Sequence, residues 1–241
     1  MPEISLTGDQ MLAVLERVAA EGPIPASAVA QACGINRTVA YRLLATLTQR
    51  SYLRRTKAGY VLGPTVSRLG RLVDNELRDA AMPVMRTLSA ETGETVVLHI
   101  IDKDQAVVLT QVIGMQHLVR VEHPIGSKHP LCKGASGWAI LAFQDRPEIA
   151  RVFAAHGEPA TGWDRIEQIR SEGFAISHDE LQQGVHGLSA PVTDGNGQCE
   201  ASLTVLVPGT RAQGLAKYRE QLLGASAHIS ASLREGLSAE G

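Results

Sequence analysis

Ala30, Gly34, Ala40 and Leu43 carry the spacing of two short helices that cross steeply around a tight turn. Crossing helices approach closely only where a small side chain meets the partner, and Ala30 supplies one four residues before the glycine. Gly34 permits the positive φ angle that the turn needs. Ala40 and Leu43 then fall on the inward face of the second helix of the pair. Arg37, Thr38, Tyr41 and Arg42 fall on or near its outward face, behind Asn36, a good N-cap. Side chains so placed reach phosphates and base edges when the helix lies in a major groove. Taken alone, the same spacing also describes a small helical hairpin with a solvated basic face, so the flanking sequence decides.

The flanks complete a winged helix over 5–66. Met11, Leu12, Leu15, Val18 and Ala19 recur at helical spacing within Thr7 to Glu21, and Gly22-Pro23 stops that helix. A second helix fits Ala26 to Cys33, and a third runs from Asn36 to about Arg50. Tyr52 to Arg55 and Tyr60 to Leu62 then read as two short strands joined by Thr56-Lys57-Ala58-Gly59, and Gly63-Pro64 closes the unit. Charge sorts the same way. Residues 1–70 carry a net +4 and the remainder a net -6, and no acid interrupts the cations from Arg37 to Lys57. A basic segment on an acidic chain is the footprint of a polyanion-binding module joined to something with another task. Lys57, at the wing tip, is expected on DNA backbone or in the minor groove. Arg37 and Arg42 are phosphate clamps or guanine readers, and Arg54 and Arg55 flank the wing.

Beyond the wing, Thr65 to Thr92 reads as mostly helical, with Leu69, Leu72, Val73, Leu77, Ala80 and Ala81 on one face and a kink or restart expected at Pro83. Residues 67–80 are assigned to a linker helix. The second domain, 81–241, alternates strand and helix patterns. Val96 to Ile101 and Ala106 to Val112 flank a hairpin turn, and His117 to Glu122 reads as a further strand. Helices are expected over Gly134 to Phe143, Pro147 to His156 and Trp163 to Glu172. Gly187 to Val192 and Glu200 to Val207 flank the turn Asp194-Gly195-Asn196-Gly197, and a last helix is expected from Gln213 to Leu233. Hairpin-joined strands with helices outside describe an α+β domain with a mainly antiparallel sheet.

Other classes fit poorly. No apolar run approaches the ~18 residues of a membrane span, and Met1 to Leu6 lacks the pattern of a secretory signal. Three cysteines, Cys33, Cys132 and Cys199, make no disulfide framework and point to reduced thiols and a cytoplasmic address. His123, His129 and Cys132 cluster within ten positions, and His178 and His186 lie close in sequence. Zinc sites show tighter paired spacing, and a thiol nucleophile needs a base and an oxyanion site that no motif supplies. Hydrogen-bonded histidines, no cofactor, no metal and no catalysis are therefore expected. Trp138 and Trp163 are expected in the core or at an interface.

With these residues in hand, the chain resembles the IclR family of transcription regulators over nearly its whole length. Val39 to Leu47 looks like the family's recognition helix, and Gly59 to Pro64 is similar to its wing exit. Glu91 to Val96 resembles the start of its effector domain, and Gly184 to Val192 its late signature. The resemblance implies a GAF-like C-terminal fold, a homodimer or homotetramer on double-stranded operator DNA, and control of a catabolic gene cluster as repressor or activator. It places an effector pocket at Gly134, Ala135 and Ser136, where a central helix begins, and at Ser177, Gly187, Thr204 and Leu206. N–H groups at a helix start suit a carboxylate, so a small organic or aromatic acid is the expected effector. The chain departs from the pattern at Ser177, where some members carry an acid, at Gly187, where some carry cysteine, and at Trp138, where many carry lysine. Glycine at 187 implies a roomier pocket, and Trp138 a ring that narrows it or stacks on a ligand. The readings set against this are a constitutive DNA-binding oligomer without ligand, and an enzyme using Cys132 or a metal.

Overall fold

A computed structural model describes residues 4–70, 72, 75–157, 159, 161–194 and 196–239, with backbone alone for 75 and 236–239. Val73 and Gly195, assigned above to an apolar face and to a turn, lie outside the described residues. Two compact units divide between Asn75 and Glu76.

The first unit holds α1 (Leu6–Glu21), α2 (Ala26–Ala32) and α3 (Arg37–Gln49), then β1 (Leu53–Arg55), β2 (Tyr60–Leu62) and α4 (Pro64–Gly70). Its core joins Val14 and Val18 of α1, Val29 of α2, and Leu43, Leu44 and Leu47 of α3, which is the apolar stripe of each helix turned inward. Ala30 and Ala40 are buried, and Gly34 has φ 63°. The Asn36 side chain caps α3 by accepting from the Thr38 N–H at 2.8 Å. Strands β1 and β2 pair antiparallel, and Tyr60 also exchanges backbone bonds with Ile24 at 2.8 and 3.1 Å. This tie explains Gly59: with φ 142°, a Cβ there would stand 2.4 Å from the Ile24 carbonyl oxygen.

The second unit contains α5 (Asn75–Thr92), β3 (Thr95–Asp102), β4 (Gln105–Val112), β5 (Lys128–Pro130), α6 (Gly134–Leu141), α7 (Arg146–His156) and α8 (Gly162–Glu172). Then come β6 (Ala175–His178), β7 (Val185–Thr193), β8 (Cys199–Pro208), a 3-10 segment (Gly209–Tyr218) and α9 (Arg219–Ala239). Six strands form one antiparallel sheet in the order β5-β4-β3-β8-β7-β6. Alternation along the strands sorts its two faces. Val96, Leu98, Leu203, Val205 and Leu188 pack with Met85 and Leu88 of α5 and with Leu222 and Ile229 of α9. The intervening residues, among them Val97, Thr204 and Leu206, point to the other face, where α6 lies. All eight residues of α6 are buried, as a helix apolar on every side must be. Gly137 lets it settle there, because a Cβ would meet the Leu131 carbonyl oxygen at 2.7 Å.

Three expectations are corrected. His117 to Glu122 forms no strand: side chains take its backbone groups in place of a ladder, Arg211 donating to the Val119 carbonyl at 3.0 Å and Gln111 Oε1 accepting from the adjoining His123 N–H at 3.1 Å, and Leu118 stands free in solvent. Pro83 does not interrupt its helix; α5 runs through it, and the helical stretch instead falls into α4, ending at Gly70, and α5, beginning at Asn75. The last helix does not start at Gln213. That stretch is a 3-10 coil pinned by Arg211 and Tyr218, and α9 then continues to Ala239. Strands β5 and β6, three and four residues long, are too short to show a period.

Candidate DNA and effector sites

In the winged unit, Asn36, Arg37, Thr38, Tyr41, Arg42 and Lys57 are all exposed, with Tyr41 at 56%. Asn36 spends its side-chain oxygen on the helix cap, so its first task is to start α3. Among the described residues, the side chains of Arg37, Arg42, Arg50, Arg54, Arg55 and Lys57 make no hydrogen bond or ion pair. Cations that a protein holds in place for its own fold are normally paired. A row of unpaired ones along α3 and the wing is a surface open to a polyanion.

In the second unit the sheet register brings the pocket candidates together. Ser177 faces Gly187 across β6 and β7, and Gly187 faces Leu206 across β7 and β8. Thr204 lies two residues before Leu206, on the same face. Ala135 and Ser136 come down onto this row from α6, and Ser202 Oγ ties the helix to the sheet by donating to the Ser136 carbonyl at 3.1 Å. Six of the seven candidates, Ala135, Ser136, Ser177, Gly187, Thr204 and Leu206, line one cavity with His123, Leu181 and Val185. Gly134 adjoins it without lining it. His123 and Leu181 sit in loops, where no periodicity marks a residue as inward.

The cavity is tight. It offers about 10 Å³ to the centres of water-sized spheres, room for about one water. Gly187 does not make it roomy, because even a Cβ there would sit 3.3 Å from Ala135 Cβ and from Leu206 Cδ2. Trp138 neither narrows it nor lines it. The indole is buried beneath Arg165, whose guanidinium lies 4.5 Å over the ring. The N–H groups at the start of α6 are also engaged: Gly134 N–H donates to Glu180 Oε2 at 2.9 Å, and Ala135 N–H to Ser177 Oγ at 2.9 Å.

Beside the cavity three imidazoles meet. The His99 ring lies 6.3 Å from His123 and 5.7 Å from His129, and His129 Nε2 lies 3.0 Å from Ser136 Oγ. His99 Nε2 is buried without a hydrogen-bond partner among the described residues. Burial, and then repulsion from the two neighbours, hold His99 well below the usual histidine range; burial lowers His123 and His129 as well. The sign follows from linkage. Below pH ~6.5 the unfolded chain takes up protons that the folded one refuses, so stability is full above that pH and falls on acidification. Thermal melts from pH 7.5 to 5 should show an accelerating loss, of about 1.4 kcal/mol per pH unit for each proton refused. A His99→Asn variant should show a shallower loss; an unchanged slope refutes the assignment.

Nothing here resembles a nucleophile. Burial pushes the Cys199 thiol up to about 12 and raises Cys132 as well. No cluster of His, Cys, Asp or Glu among the described residues has the geometry to hold a metal ion, and no described helix is long and apolar enough to cross a membrane.

A winged helix with an open cationic face, followed by an α+β domain with a small, mostly apolar cavity, defines a DNA-binding transcription regulator with an effector-binding domain. Residues 9–57 match the IclR helix-turn-helix domain, and residues 70–231 match the bacterial transcriptional regulator IclR C-terminal domain. The chain belongs to the IclR family, whose members are transcription regulators and not enzymes. It is 27% identical to the HTH-type transcriptional regulator KdgR of Escherichia coli, over 93% of this chain and 91% of that one. Its fold is that of the Thermotoga maritima IclR crystal structure, at TM-score 0.79 and 24% identity, covering 95% and 98% of the two chains. It also matches an IclR homolog of Microbacterium hydrocarbonoxydans complexed with 4-hydroxybenzoate, at TM-score 0.81 and 18% identity, covering 95% and 99%.

Proposed function

We propose that this regulator binds a double-stranded operator as a homodimer or homotetramer and controls a catabolic operon in response to a small organic acid, aromatic acids foremost. The winged helix spans 5–66, a helical linker 67–80 and the effector domain 81–241. Asn36, Arg37, Thr38, Tyr41 and Arg42 present α3 to the major groove, and Lys57 brings the wing to the backbone or the minor groove. Gly134, Ala135, Ser136, Ser177, Gly187, Thr204 and Leu206 form the effector site. The observation that carries the DNA reading is the row of exposed, unpaired cations from Arg37 to Lys57. Two copies of α3 about one helical turn apart would enter successive major grooves of one duplex.

The acid reading draws on His123, Ser136, Ser177 and Thr204 in a lining that is otherwise apolar, as suits an aromatic acid, and on the 4-hydroxybenzoate held by the Microbacterium relative. One observation favours a second reading, a DNA-binding oligomer with no ligand: a cavity with room for one water holds no benzoate unless it opens. A bound ligand must stabilise the state it binds, and it shifts DNA affinity only if it prefers one of two arrangements. Duplexes selected from a random pool give the operator. A panel of organic acids, 4-hydroxybenzoate among them, is then scored for thermal stabilisation and for operator release. At an acid concentration a hundredfold above the dissociation constant, stabilisation of about 2.7 kcal/mol is expected. Selection of no duplex removes the DNA reading. Operator binding with no response to any acid leaves the ligand-free oligomer.

A further inference from the structure

We infer that Glu180 is an internal carboxylate seated beside the effector pocket, on donors that suit an entering acid, and that the strap 179–184 is a latch which an acidic effector displaces. This rests on the reading of the cavity beside α6 as the effector site.

Glu180 is held as a bound acid is held. Its Oε2 accepts from the Gly134 N–H at 2.9 Å and from the Trp138 indole N–H at 3.3 Å. Its Oε1 lies 2.8 Å from Arg165 Nη1. Arg165 is itself fixed, stacked on the Trp138 ring and donating to the Ile176 carbonyl at 2.7 Å. A backbone donor, an indole donor and a rigid guanidinium make a full recognition set for one carboxylate. The cavity beside it is lined by no lysine or arginine, so an entering acid meets no free permanent cation there. The set that suits its charge is the one Glu180 already holds.

The next residue of the strap shuts the cavity itself. Leu181 lines the cavity and lies over Gly134, where a Cβ would come within 2.6 Å of Leu181 Cδ1. One outward movement of the strap therefore frees three donors and removes a wall. Gln182 and Gln183 are exposed, and the ends of the strap take left-handed backbone, φ 58° at Asp179 and 80° at Gly184. Those ends are anchored: the Gly209 N–H donates to the Gly184 carbonyl at 2.8 Å, the Asp179 N–H to the Val185 carbonyl at 3.1 Å, the Val185 N–H to the Gln182 carbonyl at 3.1 Å and the Gly184 N–H to Asp179 Oδ1 at 2.6 Å. What swings outward is therefore the middle of the strap, Glu180 and Leu181, between fixed ends.

Replacing Glu180 by alanine removes a CH₂–COO⁻ fragment, which is the size and charge of acetate. Glu180→Ala should melt below the parent, and acetate should restore it. With acetate tenfold above its dissociation constant, a rise of about 3–6 °C is expected, against none for the parent or with chloride or acetamide. Glu180→Gln keeps the shape and loses the charge, and so serves if the alanine variant folds poorly. In Glu180→Ala the Gly134 amide should exchange with solvent at least tenfold faster, with exchange in β7 and β8 unchanged; in Glu180→Gln, whose amide oxygen can still accept from it, the gain should be smaller. Operator affinity of Glu180→Ala should differ from the parent, and acetate should bring it back. The latch is overturned if acetate stabilises parent and variant alike or neither, or if Gly134 exchange does not change. Restoration by acetate without any change in operator affinity upholds the carboxylate seat and instead sinks the effector reading beneath it.

Discussion

Arg42→Ala is expected to lower operator affinity by roughly ten- to a hundredfold, on the order of 1–3 kcal/mol for one lost contact. Arg42 is exposed on α3, unpaired among the described residues, and four residues before Thr46, whose hydroxyl donates to the Arg42 carbonyl. Nothing in the fold depends on the guanidinium, so the melting temperature of the variant should equal that of the parent. The pattern of loss also separates two roles. A phosphate clamp weakens binding to every duplex equally and reduces the salt dependence by about one counterion. A base reader loses discrimination at one operator position and leaves the salt dependence nearly intact. Titrations at several salt concentrations, with parent and single-substitution operators, distinguish the two. Parent-like affinity for the selected operator refutes any role for Arg42 in DNA binding.

Arg211→Ala should cost the effector domain about 2–4 kcal/mol, seen as a fall of roughly 5–12 °C in its melting temperature. Glu94 stands where β3 begins, with its side chain only 2% exposed. Arg211 meets it with two parallel bonds, from Nε at 2.6 Å and Nη2 at 2.7 Å, and also donates to the Val119 carbonyl at 3.0 Å. Removing the guanidinium leaves a buried carboxylate that faces, among the ionisable groups of the described residues, only His117, 3.8 Å away. The cost is that of a stranded charge more than of a lost attraction. Arg211 is itself about a quarter exposed, so water reaches the gap and holds the loss toward the lower end. Glu94→Gln in the Arg211→Ala background should therefore recover part of the stability. If the double variant is no more stable than Arg211→Ala alone, the stranded-charge account is wrong.

The winged helix was legible in the sequence almost residue by residue, because its constraints are local. A small residue at Ala30, a left-handed glycine at Gly34, a cap at Asn36 and the helical spacing of Leu43, Leu44 and Leu47 each act within a few positions along the chain. The long strands were legible for a similar reason: Val96 to Ile101 and Glu200 to Val207 are long enough for their burial to declare a sheet. His117 to Glu122 reads as a strand in the sequence and forms none, because the side chains of Arg211 and Gln111, from outside the segment, take backbone groups of Val119 and the adjoining His123 that a ladder would use.

The sequence alone settled which segments bury an apolar face, where the chain turns, and that its cations gather in one short stretch, since these follow from backbone sterics and side-chain solubility. Its likeness to a family also brought forward most of the residues that line the cavity. Only the tertiary structure decided how open that cavity is and which carboxylate holds the donors beside it. The contacts that decide this join residues far apart in the chain: Glu180 with Gly134, Leu181 with Gly134, and Arg211 with Glu94. Loop side chains such as these carry no period, and their partners are chosen by the distances that folding imposes.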